Sequence, residues 1–133
     1  MVRGLPRVTE MKMSLDEIEK EITEIIGFIS CYYNKDNGNE VSERITNLNI
    51  YLARTSVLLS EAQFLFDERF SSETEKLIGN ELLTASTINN LAKSRCAIEN
   101  KLLKLVDRIN STITHQLDSI RSQLSYLKSF NNQ

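Results

Sequence analysis

Residues 97–128 read AIENKLLKLVDRINSTITHQLDSIRSQLSYLK, a run without glycine or proline. Within it Leu103, Val106, Asn110, Ile113, Leu117, Ile120, Leu124 and Leu127 recur at spacings of three and four. That alternation is an a/d heptad seam, which keeps one stripe of a helix against a partner helix. Leu102, Leu105 and Ile109 widen the stripe in the first half, as a core-facing bundle helix requires. Asn110 interrupts the seam. A buried Asn at an a or d position costs stability and fixes register and oligomer state. The alternative is that Asn110 looks into a polar pocket between helices.

The remaining faces of this run are unusual. Arg108, Thr112, His115, Ser119, Ser122 and Tyr126 form a second row, and Ser111, Thr114, Asp118, Arg121, Ser125 and Lys128 a third. A solvated helix face is ordinarily rich in Glu and Lys, whereas Ser and Thr are poorer helix formers. Such a face implies close packing or binding. Asp118 stands three before Arg121, so an intrahelical ion pair is one reading. The other is that Arg121, Ser122 and Ser125 present donors, and Tyr126 a ring, to an anionic ligand. Arginine suits bidentate contact with phosphate or carboxylate.

The chain has 133 residues, 41% of them apolar and 26% charged, with four glycines and a single proline at position 6. That is one domain with ordinary globular composition. So few breakers beside long periodic runs point to helices, not to a sandwich or barrel. The net charge of −2 is unevenly spread: residues 14–75 sum to −8, residues 76–133 to +4 and residues 1–13 to +2. An acidic and a basic half attract each other within a fold or between subunits. A protein that coats duplex DNA would be more basic. Cys31 and Cys96 each stand alone in helical patterns, without a C-x-x-C neighbour, and are expected as buried free thiols in a reducing compartment. No apolar run approaches the length of a membrane span. The start, MVRGLPRVTEMKM, lacks the apolar centre of a signal peptide. Residues 1–13 are expected as a disordered arm and residues 14–133 as a single helical-bundle domain, in a cytoplasmic setting.

Along the chain, Ser14-Leu15-Asp16-Glu17 is a capping box that opens a first helix, expected to end near Tyr33. Residues 34–39, NKDNGN, form a turn. A second helix is expected from Glu40 to Phe70, with a seam of Val41, Ile45, Leu48, Leu52, Thr55, Leu59, Ala62 and Phe66. Tyr51, Leu58 and Leu65 flank it at seven-residue intervals. Arg54, near the middle of this helix, is expected to snorkel or to pair with a carboxylate such as Glu61 or Asp67. Ser71-Ser72 reads as a break, with a capping box at Ser72-Glu73-Thr74-Glu75. That new helix ends at Gly79-Asn80 or continues kinked through Gly79. Thr84, Ser86 and Thr87 offer another cap, and from Ile88 the pattern stays helical to Ser129.

No catalytic constellation appears. His115 is the only histidine, and a metal site needs several ligands. There is no nucleophile elbow, Walker loop or dinucleotide fingerprint. No cofactor is expected.

The segment Thr114-His115-Gln116, three residues, Arg121-Ser122, one residue, Leu124-Ser125-Tyr126 resembles a C-terminal signature of small helical proteins of phages and prophages. It covers about a quarter of the chain. Genes of such proteins tend to lie among recombination and single-strand-annealing functions. The resemblance implies either a DNA-recombination accessory or a helical protein that sequesters the nucleotide signals of bacterial defence. It singles out Thr114, His115, Gln116, Arg121, Ser122, Ser125 and Tyr126, to which the helix faces add Arg108.

The expectation is therefore an all-α, antiparallel helical bundle with long coiled-coil-like helices. It is expected to be homo-oligomeric, because long helices beside a short first helix leave apolar seam uncovered. The expected function is non-catalytic binding of a small anionic, nucleotide-like ligand. Single-stranded DNA or a recombination protein as partner is the first alternative, and a structural helical adaptor the second.

Overall fold

The computed structural model describes residues 12–131. Four helices account for the described chain: α1 (Leu15–Ile29), α2 (Gly38–Ile78), α3 (Ala85–Arg95) and α4 (Ala97–Asn131). None is long and apolar enough to cross a membrane. Most of the expected arm, residues 1–11, lies outside the described residues. Lys12 and Met13 are described: the Met13 amide donates to Glu61 Oε2 at 3.2 Å, and the Lys12 ammonium lies over the Phe64 ring.

The caps explain where the helices begin. The Ser14 hydroxyl accepts from the Glu17 amide at 3.2 Å, as the capping box requires. The Asn37 side chain accepts from the amides of Asn39 and Glu40, so α2 starts at Gly38. Thr84 caps α3 by accepting from Thr87 N.

α1 ends at Ile29 rather than near Tyr33. The carbonyls of Phe28 and Ile29 take the guanidinium of Arg44 from α2 instead of a further helical turn. The expected break at Ser71-Ser72 does not form, and α2 runs through it for 41 residues. Serine costs only about 0.5 kcal/mol in a helix interior. Against that, Leu77 is buried and the buried Glu73 carboxylate is tied to Arg69, Lys76 and Arg95. The expected continuous helix from Ile88 is broken at Cys96, whose buried side chain sits at the joint between α3 and α4.

Cross-helix bonds set the topology. Arg54 to Glu21, Arg44 to Ile29 and Glu61 to Met13 make α1 antiparallel to α2. Thr55 to Asn110 and Glu73 to Arg95 show α4, and α3 before it, antiparallel to α2. α1 thus runs parallel to α4 and covers only the middle of the α2–α4 pair. The core is one cluster in which Ile18, Ile22 and Ile25 of α1 meet Leu48 and Leu58 of α2 and Val106, Ile113 and Leu117 of α4. These are the stripes that the sequence spacing marks.

Arg54 does pair with a carboxylate, but with neither Glu61 nor Asp67. It holds Glu21 through two bonds of 2.8 and 2.7 Å, a fork that only the α1–α2 crossing creates. Arg54 is held above its ordinary value by that hydrogen bond, against the opposing effect of burial.

The Glu73 cluster clamps the far end of the bundle. Burial pushes the Glu73 carboxyl up, but hydrogen bonds from Arg95 and Lys76 and the charges of Lys76 and Arg69 outweigh it. The group is therefore held below its ordinary value of 4.5. A carboxyl depressed by folding stabilises fully above its unfolded pKa, and that contribution is lost as pH falls through the folded one. Urea midpoints of wild type and Glu73→Gln should therefore differ most at neutral pH. The gap should close on acidification below 4.5; a pH-independent gap would contradict the clamp.

Candidate functional site

At the end where α1 stops, residues 30–37 fold against the C-terminal half of α4 and the start of α2. This leaves two hollows that share Lys35 and Gln123. The inner one, about 220 Å³, is lined by residues including Arg44, Gln116, Ser119 and Tyr33. The outer, about 460 Å³, is lined by Lys35, Asp36, Ser122, Gln123, Tyr126 and Leu127.

Arg44 is the centre of this end. It is buried, with 6% of its surface exposed. Its guanidinium donates to Phe28 O and Ile29 O, each at 3.0 Å, and to Gln116 Oε1 at 3.4 Å. It also stacks near Phe28 at 4.3 Å and Tyr33 at 5.0 Å. Among the described residues no carboxylate forms an ion pair with it. Its compensation comes from the negative end of α1 and from ring faces. Among the described residues, two buried polar atoms here have no hydrogen-bond partner: Arg44 Nε and Gln123 Oε1. Such orphaned groups are rare and costly in a native interior.

Of the residues singled out by sequence, Gln116 lines the inner hollow, where its Nε2 donates to Ile29 O at 3.4 Å. Ser122 and Tyr126 line the outer one, and Ser122 Oγ also donates to Asp118 O. The others are not gathered with them. Arg108 lines a separate hollow near the start of α1. Thr114 is exposed and donates to Asn110 O of its own helix. His115 and Ser125 are exposed. Arg121 reaches Asn49 Oδ1 at 3.4 Å and forms no ion pair with Asp118. A helix spreads such a row around its axis, and the neighbouring α1 and residues 30–37 decide which part faces a groove. Asn110 points within the chain: its Nδ2 donates to Thr55 Oγ1 at 2.8 Å, so it pairs α4 with α2.

The groove residues not foreseen are Arg44, Lys35 and Gln123, while Ser119 belongs to the polar row of α4 already marked as a packing or binding face. A signal for Arg44 was present: it stands seven before Tyr51, extending the flanking seam of Tyr51, Leu58 and Leu65 with a charge. Lys35 sits in a turn, where side-chain spacing carries no such information. Cys31, expected buried, is exposed at the lip of the groove, and its thiol contacts Gly27 O at 3.2 Å. Cys96 is buried, and burial raises its thiol, with Glu99 adding to the effect.

Together the groove offers a buried cation, an exposed cation, amide and hydroxyl groups, and two tyrosine rings. That set can hold an anion and stack a planar group. No known protein family matches the chain, and neither a curated protein nor a solved structure matches it.

Proposed function

We propose that this chain is a non-catalytic, phage-encoded helical binding protein that sequesters a small anionic, nucleotide-like ligand in the groove between residues 30–37 and α4. Its role is anti-defence, its setting the cytoplasm of a bacterial host, and its working form a homo-oligomer. The observation that carries the reading is Arg44, a buried guanidinium without a carboxylate partner among the described residues, set beside Lys35, Gln116 and Ser119. A phosphate oxygen there gains charge-assisted bonds from groups already ordered, so little entropy is lost on binding. Tyr126, 69% exposed, supplies a ring for a base.

The exposed Tyr126–Phe130 stack, with centroids 6.4 Å apart, favours a second reading: single-stranded DNA on the same end of α4. Salt separates the two. Binding to a strand weakens steeply with ionic strength, whereas a small ligand releases few counterions.

The test is thermal unfolding with a panel of linear and cyclic nucleotides, with inorganic phosphate as reference. A ligand at one hundred times its Kd adds about 2.7 kcal/mol to the folded state. Lys35→Glu and Tyr126→Ala, both at exposed positions, should each weaken the response about tenfold at unchanged intrinsic stability. If no nucleotide raises the midpoint, the ligand reading fails.

A further inference from the structure

The bundle carries a second open surface, at the other end of α1. Leu15, Ile98, Leu102 and Leu105 line a hollow of about 570 Å³. Ile98 is 72% exposed, and Ile98 and Leu105 stand seven residues apart on α4, so both lie on one face of it. Lys101, Lys104 and Arg108 rim the hollow, and among the described residues none of them forms an ion pair. Glu19 is the single acid of its lining. An apolar floor inside a cationic rim fits an apolar knob set among acids.

The same chain carries that knob. Phe64 of α2 is 45% exposed. Glu61, Asp67 and Glu68 lie one helical turn to either side of it, and Glu68 and Asp67 form no ion pair among the described residues. Both surfaces adjoin the start of α1: Lys12 sits over Phe64, and Leu15 lines the hollow.

We infer that this chain forms a two-fold dimer in which Phe64 of each copy enters the Leu15–Ile98–Leu105 hollow of the other. The inference rests on the homo-oligomer reading above and names its surface. Charge decides the occupant. Residues 1–11 carry Arg3 and Arg7 against Glu10, the wrong sign for a cationic rim. Two α4 hollows placed face to face would oppose Lys101, Lys104 and Arg108 to their own copies. The Phe64 patch, with Glu61, Asp67 and Glu68 against Lys12, stays net acidic and complements the rim. Because knob and hollow flank the segment that leads into α1, a two-fold axis there makes both contacts at once, and the assembly closes instead of growing into a filament.

Native mass spectrometry and sedimentation of the full chain test this. Wild type should be a dimer. Ile98→Asp and Phe64→Asp, both at exposed positions, should dissociate it by about 100-fold in Kd with unchanged helical circular dichroism. Lys101→Glu with Lys104→Glu should also dissociate it, and adding Asp67→Lys with Glu68→Lys should restore it. A dimer that survives Ile98→Asp and Phe64→Asp overturns this surface and leaves the oligomer reading standing. A wild-type monomer at tens of micromolar overturns both.

Discussion

Replacing Arg44 by alanine should lower the stability of the bundle by about 3 kcal/mol and abolish its response to anions. The loss has three parts. Two carbonyls at the end of α1, those of Phe28 and Ile29, each lose a charged donor and keep only the Cys31 amide and the Gln116 side chain. Gln116 loses one of its cross-helix partners. The stack with Phe28 and Tyr33, which holds residues 30–37 against α2, disappears. Arg44→Lys keeps the charge but not the planar fork, so it should recover only part of the stability. Urea unfolding measures the loss, and amide exchange locates it, with protection falling first at the end of α1. A neutral Arg44→Ala would mean that the α1 terminus is held by packing alone. The exposed Lys35 separates the two roles of this end, because Lys35→Glu should impair binding while leaving unfolding unchanged.

Ile22→Ala should cost about 3–4 kcal/mol, the range for truncating a fully buried aliphatic side chain whose cavity cannot collapse. Ile22 has no exposed surface, and its neighbours on the stripe, Ile18 and Ile25, are equally enclosed. α1 is the shortest of the three core helices and is joined to the rest through this stripe, the Glu21–Arg54 fork and the Arg44 and Gln116 bonds to its last carbonyls. Weakening the stripe should therefore release α1 while α2 and α4 remain paired. Equilibrium unfolding followed by helical circular dichroism and by exchange of α1 amides would show this as a broadened transition. If Ile22→Ala unfolds in one sharp step, α1 and the α2–α4 pair form a single cooperative unit.

The two surfaces proposed here use opposite ends of α1, which makes their tests independent. The groove depends on where α1 stops. The dimer contact depends on where it starts. Lys35→Glu should leave the mass of the assembly unchanged, and Ile98→Asp should leave the intrinsic nucleotide site intact.

Much of the architecture was legible in the chain. Apolar spacing identified the buried faces of all three core helices, since a helix can bury only one stripe and the stripe must recur every three or four residues. The capping box at Ser14 and the polar turn after Asn34 located two boundaries because their side chains satisfy nearby amides. Other features depended on groups distant in sequence. The Ser72 capping box, locally sound, lost to Glu73, whose partner Arg95 is supplied by the segment before α4. Arg54 took Glu21 rather than the nearer acids, because antiparallel packing placed α1 beside it. The polar rows of α4 were readable as a face requiring explanation, yet only the position of residues 30–37 decided that Gln116, Ser122 and Tyr126 line a groove while His115 and Ser125 stay outside it. Local periodicity determines which side of a helix is buried. What lies opposite its polar side is determined by how the helices pack, and so is the burial of Arg44 without an ion-pair partner among the described residues.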